Sequence, residues 1–201
     1  MTTQVVDSEV SRTKFEREVQ EFRALGGVYR QRGWFLVHAD FPHALVVLAA
    51  SQLTPPAIVA GVAFDFTNYD AEAPSVHLVN PFTNVPYKAS ELPTTLNQGS
   101  PAVEVPLPGM PAGAQMSLNP VQPLMQAASP DEIPFLCIPG VREYHEHPGH
   151  TGDPWELHRV SGAGRLTRLL EQIYKYGVQP ITGFSVSLIP QVGLQYGIPP
   201  R

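Results

Sequence analysis

Residues that cross-link or accept modification are scarce in this chain, which has one cysteine, Cys137, and three lysines among its 201 residues. A single cysteine excludes an internal disulfide, and a reduced thiol suits the cytosol, where we expect the protein to act. The N-terminal residues also lack the basic and then apolar order of a signal peptide. No apolar run approaches the roughly 18 residues that span a bilayer, so we expect a cytoplasmic protein without a membrane partner.

Positive charge is also limited, with 13 Lys and Arg against 18 Asp and Glu and a formal net charge of −5. Binding to nucleic acid or to anionic lipid depends on a basic surface, which this composition does not favour. The sequence contains no Gly-rich phosphate loop and no dinucleotide fingerprint. We therefore expect no nucleic-acid partner, and we find no support for nucleotide binding.

Apolar periodicity predicts a helix followed by a sheet in the first half of the chain. Phe15, Val19 and Phe22 recur at helical spacing within residues 8–25. Four short β-branched or aromatic runs, divided by turns, then follow: Gly33–Ala39, Leu45–Ala50, Ala57–Phe66 and Ser75–Val79. This order is typical of an antiparallel four-stranded meander after a helix, which is an α+β fold.

The second half is dominated by proline and ends in another helix. Residues 90–134 contain nine of the 22 prolines and show little periodicity, which predicts a long irregular insertion. Residues 165–176 predict a C-terminal helix, because four apolar residues lie on one helical face: Leu166, Leu169, Leu170 and Ile173. Phe184–Ile189 is strand-like. We expect residues 1–201 to form one domain.

Residues 137–159, between the insertion and the last helix, concentrate the side chains that bear chemistry. This segment contains the only cysteine and four of the seven histidines, His145, His147, His150 and His158. Thiolate and imidazole are both nucleophiles and metal ligands. We therefore predict that any reactive centre lies in this Cys/His segment.

Zinc binding is one interpretation of the segment. Zn²⁺ takes thiolate and imidazole ligands in a tetrahedral array. His145 and His147 lie two residues apart, and a Pro-Gly turn separates His147 from His150, so the three rings and Cys137 are candidate ligands. The spacing matches no named zinc finger, and a structural alternative remains open, because a cysteine in the apolar run FLCIP is often a core residue.

A resemblance to the ubiquitin-conjugating enzyme family gives a second interpretation. The order of helix, meander, cysteine, tryptophan and helix resembles that family. Its Pro-Pro-x-Val-x-Phe signature is similar to a diverged stretch that comprises Tyr69, Pro74, Val76, Leu78 and Asn80-Pro81-Phe82. Cys137 falls at the position of the family's acceptor cysteine, and Trp155 falls near the family's tryptophan. The family's His-Pro-Asn triplet, whose Asn stabilises the oxyanion, has no counterpart before Cys137.

This resemblance implies that Cys137 carries the C-terminal glycine of a ubiquitin-like modifier as a thioester. The implied partners are the modifier and its activating enzyme. His145 or His147 would act as the base, with Glu143 or Glu146 orienting its ring. Arg142 or Arg159 would help to dock a partner.

The Cys/His segment also resembles a predicted metal-binding family that is named for its Cys, Glu, His and His residues. Members of that family occur in bacterial ubiquitin-like conjugation operons, which implies a bacterial modification pathway, including antiphage defence. The matching positions are Cys137, Glu143, His145 and His150. A third possibility is a non-catalytic interaction module in which the cluster is structural.

Overall fold

The computed structural model describes residues 3–106, 109 and 115–185. The helices are α1 (Ser8–Ala24), α2 (Gly26–Gln31), α3 (Arg142–Glu146), α4 (Glu156–Arg159) and α5 (Leu166–Ile173). The strands are β1 (Trp34–Asp40), β2 (His43–Ala50), β3 (Ala57–Asp65), β4 (Ser75–Val79), β5 (Asn97–Gly99), β6 (Val103–Pro106), β7 (Gln115–Leu118), β8 (Val121–Pro123), β9 (Met125–Gln126) and β10 (Phe135–Leu136). A π-helical turn at Tyr174–Val178 continues α5, and 3₁₀ turns lie at Ala89–Glu91 and Pro148–His150.

The central sheet is the predicted meander, with the strand order β1-β2-β3-β4 and antiparallel neighbours throughout. Val46 pairs with Val62, and Phe64 pairs with Val76, so apolar side chains of neighbouring strands point into the same core. The β-branched and aromatic runs therefore form strands for the expected reason, because one face of each is buried. The α+β fold is confirmed.

Helices α1 and α5 contact each other and bury their apolar faces in the same core as the sheet. Asp7 begins α1 as its N-cap and accepts the backbone N–H of Glu9 at 2.9 Å. Glu18 of α1 is fully buried, and its carboxylate accepts the N–H of Leu166, the first residue of α5. Burial raises the pKa of Glu18, which Arg165 opposes through its positive charge. This buried contact fixes where α5 begins relative to α1.

The Pro-rich insertion is more ordered than predicted. Strand β5 pairs with β8 and β6 pairs with β7, so residues 97–106 and 115–123 form two nested antiparallel ribbons. Leu96 and Leu124, which flank the ribbons, are buried in the main core and are joined by a backbone hydrogen bond. The expectation of an irregular connection was wrong here, because pairing between segments distant in sequence leaves little local periodicity.

Two further expectations concern the tail and the membrane. The strand predicted at Phe184–Ile189 lies largely outside the described residues, and Phe184 and Ser185 are not in a strand. No helix in the described ranges is both long enough and apolar enough to cross a bilayer.

We expect Leu170→Ala to lower the free energy of unfolding by about 2–5 kcal/mol, because it leaves a cavity where a fully buried side chain of α5 packs in the core. Urea denaturation measures the change. Leu157→Ala is the matched control, since Leu157 is 64% exposed, and should change stability by no more than about 0.5 kcal/mol. Equal effects of the two substitutions would contradict this description of the core.

Candidate functional site

Cys137 follows β10 directly, and backbone contacts fix its position. Its N–H donates to the carbonyl of Leu124 at 2.7 Å, which ties the cysteine to the base of the Pro-rich ribbons. Three residues later Gly140 adopts φ +105°, where a Cβ would lie 2.4 Å from the carbonyl oxygen of Ala163. Only glycine permits this close approach of two backbones. The sequence Cys-Ile-Pro-Gly is therefore a tightly packed turn.

The thiol of Cys137 lies between an imidazole and a cleft. Its Sγ is 3.4 Å from Nε2 of His150, within hydrogen-bonding distance for sulfur. Cys137 is only 5% exposed, and burial raises the pKa of its thiol. A cleft of about 280 Å³ also has Cys137 in its wall. Its polar lining residues are Gln98, His158, Arg168 and Gln172. Cys137 thus has an imidazole nitrogen within hydrogen-bonding distance of its sulfur and lines an adjacent cleft.

The ring of His150 contacts Tyr144, which is hydrogen-bonded in turn to Asp153. The ring of Tyr144 stacks on the His150 ring, with centroids 4.0 Å apart and an interplanar angle of 25°. The Tyr144 hydroxyl donates to Asp153 Oδ2 at 2.6 Å, and burial together with this bond raises the pKa of Tyr144 to about 12. The other carboxylate oxygen of Asp153 is 2.6 Å from Nε2 of His158. These hydrogen bonds lower the pKa of Asp153.

His145 is held in a neutral, structural state. Its Nε2 accepts the N–H of Gly140 at 3.2 Å, which places the ring proton on Nδ1, where it donates to the Asp153 carbonyl at 2.9 Å. Burial lowers the pKa of His145. Both ring nitrogens are therefore occupied, and neither faces Cys137.

His147 is likewise turned to a structural role. Its Nδ1 accepts the N–H of Gly149 at 3.1 Å, which caps the 3₁₀ turn at Pro148–His150. Its ring stacks on Phe135, with centroids 4.7 Å apart. The structure thus brings His150 to the thiol, rather than the expected bases His145 and His147.

Two charged residues of α3 that the sequence made candidates for the site, Glu143 and Arg142, are directed away from Cys137. Glu143 accepts a hydrogen bond from Ser75 and lies 3.5 Å from Nε2 of His77, so it faces β4 instead of Cys137. Arg142 is 5% exposed and donates to the carbonyls of Ala73 and Thr67. The prediction that Arg142 docks a partner is wrong, because its guanidinium is buried against the 67–73 segment. Arg159, by contrast, is exposed.

The arrangement does not match the predicted zinc ligand set. Of the five candidates, Cys137 and His150 meet, whereas His145 and His147 use ring nitrogens in backbone hydrogen bonds and Glu143 lies at β4. Within the residues described, no group of three or more His, Cys, Asp or Glu side chains is placed to hold a metal ion.

Tyr144, Asp153 and His158 form the part of the site that sequence reasoning missed. All three lie in the Cys/His segment, but their positions in the sequence give none of them a role. No sequence motif predicts this group. Tyr144 and Asp153 are nine residues apart, and their side chains meet only because the chain turns at His150.

Comparison with known proteins identifies the family. The sequence profile of the Y4jH family matches residues 6–181. The chain belongs to the Y4jH family. A relative from Sinorhizobium fredii (strain NBRC 101917 / NGR234), named "Uncharacterized protein y4jH", is 41% identical over 197 residues, which cover 94% of this chain and 93% of the relative. The family match extends through the sheet, the Cys/His segment and α5, so the site lies within the shared region.

We expect His145→Gln to weaken the loss of stability that acidification causes. Because the folded state lowers the pKa of His145, its contribution to stability is complete above the ordinary histidine pKa of about 6.5 and is lost as the pH falls through the folded value. Urea midpoints at pH 7.5 and 5.5 test this for the wild type and the variant. Glutamine cannot take up the proton, so the variant should lose less stability than the wild type over this interval.

His43→Gln is the control for this titration, because His43 is an exposed histidine at the start of β2. It should keep the pH dependence of the wild type. An equal loss of stability in the wild type and in His145→Gln would show that His145 is not held neutral. The pKa of His145 also depends on the charges of Asp153, His158 and Glu156. The quantity to compare is therefore the loss of stability in each variant relative to the wild type.

Proposed function

We propose that this protein is a ubiquitin-conjugating-enzyme-like acyl carrier, in which Cys137 receives the C-terminal glycine of a ubiquitin-like modifier and His150 is the base. The observation that carries the proposal is the placement of Cys137 Sγ, 3.4 Å from His150 Nε2 and in the wall of a cleft. The order of helix, four-stranded meander, cysteine and helix supports the resemblance on which the identity of the acyl group rests.

The chemical step follows from the geometry of the pair. The thiol proton passes to His150 Nε2, and the thiolate attacks the carbonyl carbon of the activated glycine, which the activating enzyme supplies as a thioester. A new carbon–sulfur bond forms to Cys137, and the bond to the donor sulfur breaks, releasing a thiolate. An amine later attacks the new thioester to give an amide, and the departing Cys137 thiolate regains a proton.

Stabilisation of the oxyanion falls to side chains in this proposal. The backbone N–H groups of Cys137, Ile138, Gly140 and Val141 already donate to other acceptors, and residue 139 is a proline. Donors remain in the cleft, where Gln98, Arg168 and Gln172 contribute amide and guanidinium N–H groups. We assign to them the role that the family's asparagine would take.

A zinc protein is the rival proposal and makes a different prediction. It needs ligands beyond Cys137 and His150, which the described residues do not bring together. Elemental analysis of untagged protein decides between the two. Stoichiometric zinc that is lost on His150→Ala would favour the metal protein, whereas metal-free, folded protein that still forms an adduct on Cys137 would favour the acyl carrier.

We expect the wild type to accept an acyl group from a synthetic peptide thioester that ends in glycine, and Cys137→Ala to accept none. Intact-mass spectrometry at pH 7 measures the adduct, which a thiol reductant should remove. His150→Ala should slow its formation on the order of a hundredfold, the usual contribution of a general base.

His147→Ala is the matched control, because this neighbouring histidine was the base expected from sequence and is directed at Gly149 and Phe135. It should keep the wild-type rate to within about threefold, well below a general-base effect. A large loss with His147→Ala and none with His150→Ala would reassign the base. Wild-type protein that forms no adduct would refute the carrier proposal.

A further inference from the structure

We propose that Tyr144 is the positioning residue for His150, which sets the ring plane that aims Nε2 at Cys137. The inference rests on the proposed function, since it assigns a residue to the same dyad. In this proposal Tyr144 affects the thiol by supporting the imidazole of His150.

The ring of His150 needs an external support. His150 ends a three-residue 3₁₀ turn and is only partly buried. Within the described part of the chain, the bond to Cys137 is the one side-chain hydrogen bond of this ring. Two rings contact the imidazole, Tyr144 with centroids 4.0 Å apart at 25° and His147 with centroids 5.6 Å apart at 52°. The closer, stacked Tyr144 ring is the contact that we expect to restrict rotation of the imidazole most. Without it the ring would sample orientations that direct Nε2 away from the sulfur.

Tyr144 is itself rigidly held, which suits a support. It is 8% exposed on α3, and its hydroxyl donates to Asp153 Oδ2 at 2.6 Å. Asp153 is fixed in turn by His158 at its other carboxylate oxygen and by His145 at its carbonyl. The chain of contacts from His158 through Asp153 to Tyr144 thus ends on the face of His150, and no member of it other than His158 lines the cleft.

The test measures the rate of alkylation of Cys137 by iodoacetamide at pH 7, which reports on the only thiol of the chain. Tyr144→Leu removes the stacking ring and should slow alkylation about tenfold, since loss of orientation lowers the reactivity of the pair. Tyr144→Phe keeps the ring and should restore the wild-type rate to within about threefold. Circular dichroism at the same pH confirms that each variant is folded.

A double-mutant cycle with His150→Ala shows whether Tyr144 acts through the imidazole. If it does, Tyr144→Leu combined with His150→Ala reacts no more slowly than His150→Ala alone. Should Tyr144→Leu fail to fold, Tyr144→Met takes its place, because it also removes the stacking ring while its longer side chain fills more of the same space. It should slow the wild type and have no effect in the His150→Ala background.

The outcomes separate this inference from the proposed function. If His150→Ala slows alkylation but the Tyr144→Leu effect adds to it, Tyr144 does not act through His150, and only the positioning role is overturned. If His150→Ala leaves the rate unchanged, His150 is not the base and the inference about Tyr144 fails, whereas the carrier role of Cys137 is decided by the thioester assay. A rate for Tyr144→Phe as low as that of Tyr144→Leu would also overturn the inference, because the ring would not suffice.

Discussion

Both sides of the site depend on the neutral ring of His145. Its Nε2 accepts the N–H of Gly140, in the turn that carries Cys137, and its Nδ1 donates to the carbonyl of Asp153, which anchors Tyr144 against His150. The ring therefore joins the turn that carries the thiol to the segment that carries the imidazole. Protonation would remove the acceptor that Gly140 uses, so the geometry of the dyad requires a histidine that stays uncharged.

The environment of Cys137 combines two opposing effects. Burial raises the pKa of the thiol and by itself makes a sulfur inert, as in a core cysteine. The contact with His150 places an imidazole nitrogen beside the thiol, and in the proposed function the neighbouring cleft would receive the carbonyl of the acyl group. For the proposed carrier, such a thiol would be protonated at rest and would give up its proton to the base when an activated acyl group is bound.

The sequence predicted the sheet and the two packed helices well, because the apolar stripe that includes Phe15 and the β-branched runs are local signals of burial. It did not predict the ribbons around Leu96 and Leu124, whose pairing links distant segments. It also indicated the segment in which the site lies, but not which of its side chains contact one another. The positions of Cys137 and His150 identified candidates, whereas the choice of His150 over His145 depends on which ring nitrogens the folded backbone occupies.

The most direct measurement of the central claim is the ¹⁵N chemical shift of the histidine rings in wild type and in Cys137→Ser. If His150 Nε2 hydrogen-bonds the sulfur, its resonance changes with this substitution, while that of His147, which is bonded to Gly149, does not. The His145 resonances should show a neutral ring with its proton on Nδ1 in both proteins. Unchanged His150 resonances would show that the thiol and the imidazole do not form a pair and would contradict the account.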